Sequence, residues 1–224
     1  MIDADGLNLP NQALEDELEA HVAPPGYWVH QRDIQIKIFN HFKIKKRHRV
    51  LEVGTGVMRG GAPLIKYLNP GNFFGVEVST ERFELGRTVV KMLSLEHKRP
   101  NLIRSSVFGC DVIKPESIDF LWSFQVVPHM EEVIVKDFVK AIARLLKPGG
   151  KALFTVRLVN EGPAFALRGA KWKEFPITNM SQAFLEELAA AEGLKMTLHG
   201  TLGEWGMSTD LGGAKNYLIK MARV

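Results

Sequence analysis

Two early stretches carry apolar residues at helical spacing, over about 12–21 and about 29–41, and Pro24-Pro25-Gly26 breaks the pattern between them. From Arg49 the period changes. Val50-Leu51-Glu52-Val53 runs into Gly54-Thr55-Gly56, as a buried strand does on reaching a tight glycine turn. Helical patterns near 62–68 and 81–93 flank Phe73-Phe74-Gly75-Val76-Glu77-Val78, a short apolar run with the length and β-branched content of a strand. Further strands are predicted at 102–107, 118–124 and 151–156, with a helix over 131–146 closed by Lys147-Pro148-Gly149-Gly150. Such alternation predicts an α/β fold, doubly wound around a mostly parallel sheet with helices on both faces.

After Arg157 the pattern lapses until a helix predicted over 181–191. Residues 158–178, holding Pro163, Phe165, Arg168, Trp172 and Phe175, therefore read as a long connection and a candidate substrate loop. The last strands, 195–201 and 216–222, are expected to join without a helix as an antiparallel hairpin at the sheet edge. Residues 1–45 form a helical cap, and no repeat, low-complexity tract or linker divides residues 1–224, so one domain is expected.

Composition narrows the setting. A chain of 224 residues with 46% hydrophobic content supplies its own core without metal or disulfide staples. The acidic start Met1-Ile2-Asp3-Ala4-Asp5 lacks a secretory pattern, and no apolar run has the length of a membrane span, so a cytoplasmic protein is expected. Cys110 stands alone and has no internal disulfide partner, in keeping with a reducing compartment. The formal charge is +4, and much of the excess lies in Lys43-Ile44-Lys45-Lys46-Arg47-His48-Arg49. That run would attract phosphates, but a solvated connection between a helix and the first core strand accounts for it more simply.

The chemistry concentrates at Gly54 and Gly56, followed by Gly60-Gly61 and, one strand later, by Glu77. Glycines at the turn let backbone approach a ligand where a Cβ would intrude, and a carboxylate at the tip of the second strand accepts hydroxyl protons from a ribose diol. An adenosine-containing ligand is implied. A dinucleotide fold requires a third glycine three positions after the second, but Arg59 stands there and Gly60 comes one later. The spacing therefore favours S-adenosylmethionine, which has no pyrophosphate to seat, over a nicotinamide cofactor.

This arrangement resembles the class I S-adenosylmethionine-dependent methyltransferases, from Val50 to Val156 and, through the final hairpin, nearly to the C-terminus. The resemblance implies a seven-stranded, Rossmann-like sheet and transferase activity. It implies that Gly54 and Gly56 lie under the methionine part of the cofactor and that Glu77 holds the ribose, with Glu52, Thr55, Arg59 and Val78 among the expected cofactor-binding residues. Asp111 and Val112 fall where the family places an acidic residue near the adenine amino group, and Ser123 and Phe124 end the fourth strand. Leu145-Leu146-Lys147-Pro148-Gly149-Gly150 resembles the family's turn into its fifth strand. Arg59 has two readings, an approach to the cofactor carboxylate or the start of the first core helix.

Departures bear on the acceptor. The fourth strand ends Ser123-Phe124-Gln125, without the Asn-Pro-Pro-Tyr or Asp-Pro-Pro-Tyr motif of many base amino-group methylases, and Cys110 sits in no nucleophile motif. DNA and many RNA bases are thereby disfavoured, and no metal centre is expected. Methyl transfer from a sulfonium is an in-line displacement driven by alignment and desolvation, so no catalytic residue is obligatory. A hydroxyl or ammonium acceptor must still lose a proton, for which His129, just beyond the fourth strand, is the candidate base. Its alternative role is to pack or cap the following helix. Asp119 is expected to fix the start of its strand. Tyr27, Trp28 and Arg32 are placed by the resemblance over the methionine end, while Phe165, Trp172 and Trp205 offer an apolar wall for the acceptor, and Arg157 and Arg168 suit an anionic one. The partner is thus an unidentified methyl acceptor, a small molecule in the leading reading. Two others stay open, a cofactor-binding protein without turnover and an RNA or protein methyltransferase guided by the 43–49 run.

Overall fold

A computed structural model describes residues 1–23, 26–159, 164–172, 175–207 and 215–223. The chain divides into two compact units, Met1–Gly109 and Cys110–Val224.

In the first unit, α1 (Gln12–Glu19) starts at Asn11, whose side chain accepts the Leu14 N–H, and α2 (Trp28–His41) follows. Of the breaker expected between them, Pro24-Pro25 lies outside the described residues. The N-terminal residues are anchored: Asn40 of α2 exchanges two 2.8 Å hydrogen bonds with the Ile2 backbone, and Lys66 pairs with Asp3 at 2.6 Å. Strands β1 (Val50–Val53), β2 (Phe73–Glu77) and β3 (Asn101–Arg104) are parallel with β2 in the middle, in the register Val50↔Phe73 and Glu77↔Arg104. Helices α3 (Gly61–Tyr67) and α4 (Thr80–Met92) supply the crossovers. All four β1 residues are buried, as a parallel strand covered on both faces requires. Three are aliphatic. The fourth is Glu52, a buried carboxyl group in a unit whose core includes Leu51, Leu64, Ile65, Leu68 and Phe73.

In the second unit, β4 (Ile118–Ser123) runs parallel to β5 (Leu146–Leu158), joined by α5 (Glu132–Leu145). The helix buries Phe138 edge-on against Phe154 of β5, ring centroids 5.3 Å apart. Strand β5 starts earlier than the pattern suggests because Lys147-Pro148-Gly149-Gly150 is a bulge within it: Ile118 pairs with Leu146, but Phe120 already pairs with Lys151. Gly149 takes φ +74° there, and Lys147 reaches back to Asp119 at 2.8 Å, so this carboxylate ties the start of β4 to the bulge.

Two expectations about connections are corrected. Residues 158–178, expected as a loop, hold β6 (Phe165–Trp172) and most of β7 (Phe175–Met180), an antiparallel pair whose last residue, Met180, lies parallel to β5 at Leu158. Mixed composition without alternation concealed them, and they bring the strand count from the expected seven to nine among the described residues. Pro163 and the side chains of Arg168, Trp172 and Phe175 lie outside what is described. After α6 (Gln182–Ala191) and β8 (Leu194–Thr201), a one-turn helix α7 (Leu202–Trp205) intervenes before β9 (Lys215–Arg223). Its capping box, Thr201 with Glu204, is a local signal that the sequence did carry. Strands β8 and β9 are antiparallel as expected, but β9 also pairs along β5 from Lys151↔Ala222 to Leu158↔Lys215. It is thus an interior strand with β8 outside it.

Candidate functional site

The turn after β1 is built from three residues in the left-handed region, Gly54 at φ +76°, Gly56 at +51° and Met58 at +67°. A methionine in that region is uncommon, and the burial of Met58 holds it there. The Gly54 and Thr55 N–H groups bond the Val76 carbonyl at 2.8 and 3.2 Å, which seats the turn at the carboxyl end of β2. Glu77 closes it. One carboxylate oxygen accepts the Gly56 N–H at 2.8 Å, and the other accepts the Val78 and Ser79 N–H groups at 3.0 Å each.

Glycine is demanded at several points around this turn. A Cβ on Gly56 would lie 2.8 Å from Val22, so the N-terminal segment packs directly on the turn. A Cβ on Gly86 of α4 would meet the Gly56 carbonyl at 3.0 Å. The same segment is held from α4, where Arg82 donates to the His21 carbonyl at 3.1 Å. Arg82 therefore helps to hold the cap.

Behind the turn sits a group of buried polar side chains. Burial pushes the Glu52 carboxyl up to about 8, with Arg59 opposing the rise and Glu77 adding to it. Arg59 is buried as well, and burial brings its guanidinium down to about 10 against the pull of Glu19 and Glu52. Its Nε and Nη1 have no hydrogen-bond partner, nor do Oε1 of Glu19, Oε1 of Gln31 and Oε2 of Glu52. Glu19, Gln31 and Gln35 were not among the sequence candidates. Gln31 and Gln35 do share the helix face of the buried Trp28, Ile34 and Ile38, and polar residues on such a face were the available signal.

The structure thus brings together Glu52, Gly54, Thr55, Gly56, Arg59 and Glu77, with Val78 exposed beside Glu77. Of the cap residues, Trp28 is buried, Tyr27 is largely exposed and Arg32 pairs with its neighbour Asp33 at 3.3 Å.

In the second unit, Asp111 and Val112 lie in an exposed turn after Cys110, whose thiol is pushed up by burial, eased by Arg144 and pushed further by Asp111. A thiol so held is no activated nucleophile. Ser123 is buried, and Phe124 stacks on Trp122 with centroids 5.7 Å apart. Gln125 follows at φ +57°, its N–H on the Thr155 hydroxyl at 2.7 Å. His129 ends a short 3-10 turn, and its Nδ1 lies 2.9 Å from the Pro176 carbonyl of β7, while Thr178 donates to the Pro128 carbonyl at 3.2 Å. Arg157 is buried with Nε on Asn179 at 3.1 Å, Phe165 packs on Phe184 of α6, and Trp205 donates to the His199 carbonyl. Among the described residues no group of three or more His, Cys, Asp and Glu is arranged to hold a metal ion, and no helix is long and apolar enough to cross a membrane.

Parallel strands with helical crossovers, a glycine turn after β1, an acidic residue ending β2 and a C-terminal antiparallel pair define the class I methyltransferase fold. Solved structures agree. YcgJ from Bacillus subtilis superposes with a TM-score of 0.66 at 14% identity, covering 85% of this chain and 98% of that one. The glycopeptide N-methyltransferase MtfA, in complex with S-adenosyl-L-methionine, gives 0.62 at 13% identity, with 84% and 92% covered. The (4+2)-cyclase SpnF gives 0.65 at 15%, with 86% and 81% covered. At such identities the likeness is one of fold. Residues 50–150 match the family model described as a methyltransferase domain, a class whose cofactor is S-adenosylmethionine. No curated protein matches the sequence.

Proposed function

We propose that this chain is an S-adenosylmethionine-dependent methyltransferase that acts on a small-molecule, sugar-like or lipid-derived acceptor, as a single domain in the cytoplasm. The observation that carries this reading is the Glu77 carboxylate, buried at the end of β2 and braced on the Gly56 N–H. The residues fit the cofactor. A carboxylate offers about four lone-pair sites, and backbone N–H groups occupy three on Glu77, which leaves room for one ribose hydroxyl bond. Gly54 and Gly56 allow close backbone approach, and Glu52, Thr55 and Arg59 flank the methionine end. Val78 offers an exposed apolar surface to the adenosine, and Asp111, Val112, Ser123 and Phe124 serve the adenine side.

When bound, S-adenosylmethionine supplies a methyl group on a positively charged sulfur. The acceptor's lone pair forms the new bond to that carbon as the carbon–sulfur bond breaks, and a hydroxyl or ammonium acceptor must give up a proton. In this reading His129 takes it. A carbonyl only accepts, so the Pro176 contact sets the proton on Nδ1 and makes Nε2 the basic nitrogen. Such a base contributes about 10²–10⁴-fold. The test is calorimetry with S-adenosylmethionine and NADH on wild type and Glu77→Gln, followed by an acceptor screen that reads S-adenosylhomocysteine release. Binding of the sulfonium alone, weakened in the variant, supports the reading; absence of binding removes it.

The likeness to a cyclase of the same fold favours one second reading, a protein that binds the cofactor without transferring its methyl group. Tight binding with no acceptor found in a broad screen would select it.

A further inference from the structure

We infer that the segments entering β1 and β3 together form a docking surface for the phosphate backbone of a nucleic acid, at the strand ends opposite the glycine turn. All of its residues belong to the first unit, and the surface does not depend on the methyltransferase reading.

Residues 43–49 lead into β1, and the 3-10 turn Glu96–Lys98 leads through Arg99 into β3. The sequence shows the first run alone; the fold sets the second beside it. Asn69-Pro70-Gly71-Asn72, which leads into β2, clasps both: the Asn69 N–H donates to the Lys46 carbonyl and the Gly71 N–H to the Lys98 carbonyl, each at 2.8 Å. Asn101 of β3 in turn donates to the Gly71 carbonyl at 3.0 Å. Because β2 lies between β1 and β3, the three entries sit side by side at the amino ends of the parallel strands. Gly54 and Glu77 lie at the carboxyl ends. The four residues of β1 separate the two sites by about 13 Å.

Charge on this surface is of one sign. Lys43, Lys45, Lys46, Arg47 and Arg99 are exposed and Lys98 is half-buried. Among the described residues none of these six forms an ion pair, and Glu96 is the one carboxylate within either segment. Burial lowers the proton affinity of Lys98 and the charge of Lys46 lowers it further, as follows from like charges held close. A solvated connection accounts for cations on 43–49 but gives no reason to hold a second cationic segment against them. Aromatic rings steady the cations: Lys46 lies over Tyr67 at 5.9 Å and Arg49 over Phe74 at 4.7 Å. A phosphate polymer fits this chemistry best. Protein interfaces have an apolar, aromatic centre and are depleted in lysine, whereas four of the seven cations here are lysine. A membrane-surface segment inserts apolar side chains, and none of the exposed large hydrophobic side chains falls within either segment. A nucleic-acid backbone asks only for spaced cations in reach of its phosphates.

The experiment follows the fluorescence anisotropy of a labelled single-stranded oligouridylate against salt concentration. It compares the full-length wild type with two double variants, Lys46→Gln with Arg47→Gln and Lys98→Gln with Arg99→Gln. Wild type should bind with log K falling linearly in log salt at a slope of about −3 to −4, the value for about four to six phosphate contacts on a single strand. Each double variant should lose about 10-fold in affinity at low salt and flatten the slope by about 1.4. Thermal melts and S-adenosylhomocysteine affinity should stay as in wild type, since the surface lies away from the glycine turn. Vesicles of phosphatidylcholine with phosphatidylserine serve as the second anionic surface and should bind more weakly than the RNA. Salt-independent or absent RNA binding, wild-type RNA binding by the Lys98→Gln, Arg99→Gln variant, or tighter binding to the vesicles overturns the surface. Wild-type protein that binds the RNA but no S-adenosylhomocysteine overturns the methyltransferase reading and leaves the surface intact.

Discussion

Replacing Glu52 with Gln should stabilise the cofactor-free protein, and more so at high pH. The carboxyl rises from its ordinary 4.5 to about 8 because burial disfavours the charge and Glu77 adds repulsion, while Arg59 offsets only part. The folded protein therefore holds this proton more tightly than the unfolded chain. Stability linked to the group is fully present below the unfolded value and is lost as pH rises through the folded value near 8. At 1.36 kcal/mol per pKa unit the full loss is about 4.8 kcal/mol, an upper bound because the site relaxes and admits water when the charge forms. Glutamine keeps the shape of the protonated acid and never ionises. Urea unfolding of both proteins at pH 5 and pH 9 should show a Gln-for-Glu gain larger at pH 9 by about 2–4 kcal/mol. In thermal melts each kcal/mol corresponds to roughly 2–4 °C for a chain of this size. A gain equal at the two pH values, or a loss at pH 9, would refute the reasoning.

Glu77→Ala removes the acceptor of three backbone N–H groups, so stability should fall by about 2–4 kcal/mol along with cofactor affinity. Urea melts with and without S-adenosylhomocysteine separate the two losses, and an unchanged midpoint without ligand would show that the brace is idle. Gly86→Ala sets about 1 kcal/mol of helix propensity against a Cβ that would lie 3.0 Å from the Gly56 carbonyl and 3.2 Å from Met58. Crowding should win, leaving the melting temperature unimproved and cofactor affinity lower; a clear rise in melting temperature would contradict the packing. His129→Ala breaks the link to the Pro176 carbonyl and should cost about 0.5–1.5 kcal/mol in a denaturant melt. It should leave S-adenosylhomocysteine affinity in place, and a parallel loss of that affinity would count against assigning His129 to the acceptor side.

Sequence-based and structural readings part at identifiable residues. Val50 to Gly56 and Phe73 to Val78 were legible because short apolar runs specify buried strands locally, and the glycines after Val53 specify a turn. Glu77 as the candidate ribose acid followed from its place at a strand end. The bracing of Gly56 by that same carboxylate did not follow, because it depends on β1 and β2 lying side by side in register. Glu52 read as one residue of a buried strand; its raised proton affinity comes from its burial in the folded unit, with Glu77 adding to the rise and Arg59 opposing it.

The order of strands and helices, the left-handed turn and the acidic tip of β2 are properties of short segments, set by side-chain period and backbone sterics, and the chain displays them without any partner. Burial is different in kind, since it depends on which distant segment covers a residue. Glu19, Gln31 and Gln35 read as ordinary polar helix positions until α1 and α2 enclose them. The same holds for β6 and β7, whose mixed composition becomes a strand pair only when each supplies the other's backbone hydrogen bonds.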